Sequence, residues 1–203
     1  MTDTVQSILA LEWILFQQVQ NIGGRAGCQD DRETFFLMRS SQLRAWNHVM
    51  RSSYLQDLRE ARTLGRNPLS EKYGYMMEHT DPVNFAAIRD SLPPISPEKQ
   101  TLIDAIAAAH RDWAAETSVR YPRLTGRGRP TDSRADNPGT TSFETYLCGE
   151  LATYSLRTLE HYLAYVRQLQ TQGQNLHEMI LHNTVVRYGY SGLDQAERAL
   201  SRP

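Results

Sequence analysis

The sequence predicts an all-α fold, a single-domain helical bundle with one long loop rich in Arg, Gly and Pro. Apolar residues recur at spacings of three and four along most of the chain. Ser, Thr or Asp stands where several such segments begin, and Gly or Pro where most of them end. No segment alternates convincingly like a strand, although residues 183–192 (NTVVRYGYSG) leave room for a short extended piece. At 203 residues, the chain fits one domain over residues 1–203.

Two long helices are expected at the start of the chain. The first is predicted over residues 3–21 and is ended by the glycine pair at positions 23 and 24. The second is predicted as one helix over residues 30–64, because this stretch contains neither Gly nor Pro. Gly65 is expected to end it.

The middle of the chain predicts two short helices and one long one. A short helix is expected over residues 70–79, and Asp81 followed by Pro82 opens another, which the SLPP segment ends. Ser96 with Pro97 begins a long helix to about Tyr121, where the following proline forces a stop.

Three helices are predicted after residue 140. They cover residues 141–172, ended by Gly173, then residues 176–188 and residues 193–201. The first begins with the TSFE segment, which has the spacing of a capping box, and Asp30 with Glu33 has the same spacing at the start of the second predicted helix.

Residues 123–140 form the long loop, with the sequence RLTGRGRPTDSRADNPGT. Loops of this length are usually functional lids or mobile segments. The arginines at positions 123, 127, 129 and 134 make an anion-binding lid one interpretation, and a mobile solvated loop the other.

Composition excludes some function classes. The formal net charge of -1 gives no electrostatic reason to expect a nucleic-acid or membrane-surface partner. No apolar run reaches the ~18 residues of a membrane span, and the amino terminus lacks the basic-then-apolar order of a secretory signal. Two cysteines, Cys28 and Cys148, do not make a disulfide framework, so a reducing cytoplasm is expected.

Charged residues on apolar stripes are the main functional signal. Glu12, Arg39 and Glu150 stand three or four residues from apolar neighbours on their predicted helices, which turns them inward. A lone buried charge costs several kcal/mol. We therefore expect a polar cluster inside the bundle made of Glu12, Arg39, Gln42 and Glu150, with Glu78 as a further candidate.

The corner before the second predicted helix is expected to form the rim of a pocket above this cluster. Arg25, Cys28 and Asp31 lie there, just after two glycines that allow close approach of the backbone. A helix amino terminus favours a carboxylate, a phosphate or a thiolate. The alternatives are structural: a glycine pair that only caps a helix, a packed Cys28, and buried ion pairs that only hold the fold.

These observations give two sets of candidate site residues. Buried glutamates with raised pKa values serve as acid or base, and arginines hold carboxylates or phosphates with two hydrogen bonds. The candidates for catalysis are Glu12, Glu150, Cys28 and Asp31. The candidates for substrate binding are Arg25, Arg39, Gln42, Trp13 and Tyr154.

Metal binding is an alternative, although no pair or group of ligand residues has the spacing of a known metal motif. The HExxH, CxxC and Glu-x-x-His patterns are absent from the sequence. A carboxylate site for magnesium or manganese from Glu71, Glu78, Glu144 or Glu150 stays open. We assign no metal ligand and name no cofactor.

Three phrases of the chain resemble a bacterial family known only as a domain of unknown function. They are EWILFQQVQNIGGRAGCQDDRETFFLMRSSQL, SYLQDLREARTLGRNPLSEKYGYMME and TSFETYLCGELATYSLRTL, which together span residues 12–159. The resemblance implies a helical fold and no assigned reaction, with members that also occur behind a nucleotidyltransferase-like domain. Its phrases fall on Glu12, Trp13, Gln17, Asn21, Gly23, Gly24, Arg25, Cys28, Gln29, Asp31, Arg39, Glu71, Lys72, Tyr73, Glu144, Tyr146, Glu150 and Tyr154. Cys148 departs from the pattern, where an arginine is expected, which points to a specialised pathway.

The leading hypothesis is a small-molecule enzyme of a specialised biosynthetic pathway. We expect it to act by acid–base chemistry, as a lyase, hydrolase or transferase, on an amino acid or another metabolite bearing a carboxylate or phosphate. The alternatives are a divalent-metal enzyme and a non-catalytic helical binding module. A small-molecule substrate is the expected partner, neither nucleic acid nor a membrane is expected, and a homodimer stays open.

Overall fold

The computed structural model describes residues 3–21 and 23–200. Within these residues the chain is helical and contains no strand, with one isolated β-bridge between Asn137 and Thr140. The all-α prediction is confirmed. The helices are α1 (Thr4–Gln17), α2 (Arg32–Ala45), α3 (His48–Thr63), α4 (Pro68–Thr80), α5 (Pro82–Ile88), α6 (Pro97–Arg120), α7 (Pro122–Thr125), α8 (Phe143–Ala152), α9 (Leu156–Thr171), α10 (Leu176–Arg187) and α11 (Leu193–Ala199).

Several predicted boundaries are confirmed and others shift by a residue or more. Gly65 and Gly173 follow α3 and α9 with φ values of 69° and 64°, in the left-handed region that favours glycine. The capping-box predictions were each wrong by one residue, because Asp31 rather than Asp30 caps α2 and Ser142 rather than Thr141 caps α8. The predicted end of the last helix at Ser201 lies outside the described residues.

Helix α1 ends at Gln17 rather than at Asn21, before the glycine pair. The reason is the buried side chain of Gln29, whose amide nitrogen donates to the backbone oxygens of Phe16 and Val19 at 2.9 and 3.0 Å. These carbonyl groups therefore gain a partner from outside the helix, and the chain leaves α1 in a tight loop.

The single helix predicted over residues 30–64 is divided into α2 and α3. Trp46 adopts an extended conformation with ψ of 147°, and the Asn47 side chain accepts a hydrogen bond from the backbone of Met50 at 2.8 Å. Trp46 is buried among the rings of Tyr54, Tyr154 and Tyr162. Burial of this large side chain outweighs the local preference for helix.

The helix predicted over residues 141–172 is likewise divided, into α8 and α9. Lys99 donates to the backbone oxygen of Ala152 at the end of α8, and Asp57 accepts from the backbone nitrogen of Ser155 at 2.9 Å. The Ser155 hydroxyl then caps α9 by accepting from Thr158. Partners from α3 and α6 therefore fix this break.

Two further expectations about local structure are corrected. Helix α4 begins at Pro68 rather than Ser70, because Asn67 caps it through hydrogen bonds from the next residues. Residues 183–192 are not extended: α10 continues to Arg187, and the chain then turns at Gly189, where φ is 90°.

The long loop is closely tied to the bundle and contains two short helical turns, α7 and a 3-10 turn at Ser133–Ala135. The Asp136 carboxylate accepts hydrogen bonds from Ser142 and Thr145, and the Glu144 carboxylate accepts from the backbone of Ser133 at 3.0 Å. These contacts hold much of the loop against the amino terminus of α8. In the described part of the chain, no helix is long and apolar enough to cross a membrane.

Candidate functional site

Helices α1, α2 and α8 bring three charged side chains together inside the bundle. The Arg39 guanidinium donates to Glu12 through Nε at 2.9 Å and Nη2 at 2.5 Å, and to Glu150 through Nη1 at 3.0 Å. Glu12 and Glu150 are only 1% and 4% exposed. The predicted meeting of these residues inside the bundle is confirmed.

Gln42 and Lys72 complete what we call the ionic cluster. Gln42 accepts from Arg39 at 2.6 Å, as expected from its position one turn further along α2. The ammonium group of Lys72, on α4, donates to Glu150 Oε2 at 2.8 Å and is buried. Lys72 was not placed in the cluster by the helical pattern, although it stands four residues from both Pro68 and Met76, which are buried on the same helix. That spacing was the available signal.

Two tyrosines support the carboxylates. Tyr54 donates to Glu12 Oε1 at 2.6 Å, and Tyr154 donates to Glu150 Oε1 at 2.7 Å. All four carboxylate oxygens therefore have at least one donor, and two negative charges face two positive charges, those of Arg39 and Lys72. The cluster is neutral as a whole and internally hydrogen-bonded.

The electrostatics of the cluster differ from the expectation. Burial alone raises the pKa of Glu150, but the charges of Arg39 and Lys72 outweigh this effect and hold the pKa well below its usual range. Burial also raises the pKa values of Tyr54 and Tyr154, so both hydroxyls stay protonated. Glu150 is therefore ionised at neutral pH, and the expected rise of its pKa was wrong.

A cavity of about 240 Å³ opens directly above the ionic cluster. Its floor includes Glu12, Arg39, Tyr54, Lys72 and Glu150. The cluster thus faces a space that a ligand can enter, which distinguishes it from an ion pair enclosed by packed side chains.

An aromatic wall made of Phe16 and Phe35 bounds the cavity on the side of α1 and α2. The two rings are stacked, with centroids 5.1 Å apart and planes 17° apart. Trp13 packs on Phe35 with ring centroids 5.2 Å apart and does not line the cavity. Trp13 was expected to bind substrate, but its position is behind the wall.

Cys28 and Asp31 lie at the mouth of the cavity, as the sequence predicted, and both are exposed. Asp31 accepts a hydrogen bond from the backbone of Thr34 at 2.9 Å as the cap of α2, and this bond lowers its pKa. Gln42 and Tyr154, by contrast, do not line the cavity, and each is hydrogen-bonded to a charged residue of the ionic cluster, Gln42 to Arg39 and Tyr154 to Glu150. Their expected contact with a substrate has no support in this geometry.

Arg25 lies away from the cavity and fixes the loop before α2. Its guanidinium donates to Asp30 at 2.9 Å and to Gln17 and the backbone oxygen of Gln29, and its side chain is 46% exposed. Asn21 also donates to the Gln29 side chain, at 3.0 Å. The polar residues of this corner therefore hold the loop, which corrects the expectation that Arg25 binds substrate.

The long loop contributes Arg129 to the cavity. Its guanidinium carbon lies 4.8 Å from the centre of the Tyr146 ring, and the Lys72 ammonium lies 3.4 Å from the same centre. All three residues line the cavity. The sequence marked the loop as a candidate lid, but only the fold shows which of its arginines reaches the site.

A family model described as "Protein of unknown function (DUF4125)" matches residues 2–198. The chain belongs to this family. No curated protein and no solved structure matches the chain at a significant level.

The carboxylates weighed as metal ligands lie apart in this DUF4125 member. Glu71 pairs with Arg66 at 2.6 Å, whereas Glu78 and Glu144 line a second cavity and Glu150 belongs to the ionic cluster. Glu78 is exposed, so its expected place in the cluster was wrong. Among the described residues, no three His, Cys, Asp or Glu side chains are arranged to hold a metal ion.

The second cysteine lies outside the candidate site. Cys148 is half-buried. It lines the second cavity, whereas Glu150 of the same helix lines the cavity above the ionic cluster. Burial raises the pKa of its thiol to about 11, so it stays protonated at neutral pH. Cys148 also packs against the hydrophobic core.

Proposed function

We propose that the cavity binds a small metabolite carrying a carboxylate or phosphate and that the protein is an enzyme acting on it. The observation that carries this proposal is the ionic cluster itself, placed on the floor of an open cavity. Buried ion pairs add little stability compared with apolar packing of the same size. Four charged side chains directed at one cavity are therefore better explained by a ligand than by stability alone.

The size of the cavity favours a small ligand. Sites for drug-sized molecules measure ~300–1,000 Å³, and this cavity measures about 240 Å³. The stacked rings of Phe16 and Phe35 favour an apolar or aromatic portion, and the charged floor favours a polar one. Amino acids and their derivatives have both features and are the first compounds to screen, in keeping with a specialised biosynthetic role.

The electrostatics limit the reaction types. Glu150 remains ionised and Lys72 remains protonated, because the pKa of the ammonium group is raised by Glu150 despite its burial. These two groups therefore orient a ligand and stabilise charge on it, and they do not exchange protons near neutral pH. The remaining candidates for bond-making steps are Glu12 on the floor and the Cys28 thiol and Asp31 at the mouth, for a lyase, hydrolase or transferase reaction.

The test is a turnover assay on a pool of amino acids, carboxylates and phosphorylated metabolites, followed by mass spectrometry. We expect one compound to be consumed by the wild type, with the rate reduced at least tenfold in Glu12→Gln. Cys28→Ser separates a covalent route from an acid–base route, and Cys148→Ser is the matched control because Cys148 lies outside the cavity. Turnover by Glu12→Gln at the wild-type rate would contradict an acid–base role for Glu12.

A non-catalytic binding module is the second candidate, and a specific observation favours it. Every carboxylate oxygen of the ionic cluster already has a donor within the protein. If the protein is a binding module, a compound from the pool raises the melting temperature without being consumed, and Glu12→Gln changes only the stability of the protein. Affinity capture from a lysate, repeated with and without that compound, then tests whether the bound state recruits a protein.

A further inference from the structure

The proposed function leaves open which groups hold the anionic part of the ligand. Arg39 is poorly suited, since four of its five N–H groups are used: Nε–H and one on Nη2 for Glu12, and two on Nη1 for Gln42 and Glu150. Arg25 does not line the cavity. The two arginines selected from the sequence are therefore not the anion-binding groups.

Lys72 keeps a donor for a ligand. An ammonium group has three N–H donors; one is used by Glu150 at 2.8 Å, and a second faces the ring of Tyr146. In the part of the chain that the structure describes, the third N–H has no hydrogen-bond acceptor, and Lys72 lines the cavity.

Arg129 brings a second cation to the same ring with most of its donors unused. One Nη1–H is bonded to the backbone oxygen of Thr141 at 3.1 Å, and no other acceptor for its guanidinium lies in the described residues. The two residues that follow Arg129 are tied to α8, because the carbonyl oxygens of Pro130 and Thr131 accept from the first N–H groups of that helix at 2.7 and 3.2 Å. The bond to Thr141 and the contact with the Tyr146 ring place the guanidinium beside the cavity.

The charges at this edge favour an anion. The ionic cluster is neutral, so Arg129 adds an unpaired positive charge beside Lys72. Asp31 also lines the cavity and offsets this charge over the lining as a whole, but its carboxylate accepts from the backbone of Thr34, and in the described residues no ion pair joins it to Lys72 or Arg129. Two cations on one aromatic ring repel each other, and a bound carboxylate or phosphate relieves that repulsion.

We propose that Lys72 and Arg129, both in contact with the ring of Tyr146, bind the anionic group of the ligand. The proposal rests on the proposed function and makes it specific, because it assigns one end of the cavity to a carboxylate or phosphate. Arg129 supplies two parallel donors and Lys72 a point charge, a combination that suits either anion.

The test uses inorganic phosphate and acetate as probes in heteronuclear NMR titrations of the whole chain. We expect saturable shifts of the Arg129 side-chain Nε–H and of the Tyr146 amide. Arg129→Gln is expected to weaken binding ~10- to 100-fold, from the worth of a charge-assisted hydrogen bond. Arg127→Gln is the matched control, since Arg127 is exposed on the same loop and does not line the cavity. Weaker binding in Arg129→Gln, with binding unchanged in Arg127→Gln, supports the assignment.

Saturation by phosphate alone supports a phosphorylated ligand, saturation by acetate alone supports a carboxylate, and saturation by both supports an anion site without preference. Two results overturn the assignment: no saturable shift with either probe, or an Arg129→Gln variant that binds the probes no more weakly than Arg127→Gln does. The turnover assay on the metabolite pool does not depend on these probes. A compound consumed without any anion site would therefore refute this inference and leave the proposed function standing.

Discussion

Glu150→Gln tests the reasoning about the ionic cluster most directly. The substitution preserves shape and removes one of the two negative charges, so that Arg39 and Lys72 face Glu12 alone. Breaking a buried ion pair by removing one partner costs ~3–5 kcal/mol. For a chain of this size, each kcal/mol lowers the melting temperature by ~2–4 °C, so a decrease of ~6–20 °C is expected.

The assay is thermal and urea unfolding of both proteins at pH 7, followed by circular dichroism. Glu178→Gln is the matched control, because Glu178 pairs with Arg120 at 2.7 Å on the surface, where the Arg120 side chain is 61% exposed. Such pairs contribute ~0–1 kcal/mol. If Glu150→Gln loses no more stability than this control, the charges are not coupled as the geometry indicates, and the account of the cluster is refuted.

Three further predictions follow from other parts of the structure. Burial lowers the pKa of His110 from 6.5 to about 3. Because the unfolded chain then binds a proton that the folded chain does not, stability is expected to fall as pH drops from 6.5 toward 3. The free energy of unfolding, measured in urea at several pH values in that window, should depend less on pH in His110→Phe. Gln29→Ala removes the amide that holds the end of α1 and should lower stability by ~1–3 kcal/mol and expose the following loop to limited proteolysis; unchanged cleavage would contradict the role given to Gln29. At pH 7.5, iodoacetamide should modify exposed Cys28 well before half-buried Cys148, whose thiol pKa is about 11. Peptide mass mapping measures the order of modification, and faster modification of Cys148 would contradict the exposures given to the two thiols.

The position of the cluster could be predicted from the sequence because helical periodicity is a local property. Glu12, Arg39 and Glu150 each stand on an apolar stripe, and burial then requires that they find one another. The direction of the pKa shift could not be predicted in this way. It depends on how many cations surround Glu150, and the contact with Lys72 is visible only after α4 and α8 are packed.

The breaks within the two longest predicted helices show a second limit. Residues 30–64 contain no helix-breaking residue, and the division at Trp46 follows from packing against rings on other helices. Asn47 was a visible capping residue, but many such residues occur inside helices without ending them. Likewise, the four arginines of the loop are alike in sequence, and only the fold shows that Arg129 reaches Tyr146.

The balance of two glutamates against an arginine and a lysine has a consequence for how such proteins diverge. Neutralising Glu12, Arg39, Lys72 or Glu150 alone leaves an uncompensated charge in the interior, and only a second change at a residue of the opposite charge restores neutrality. Across the family, these four positions should therefore vary together or not at all.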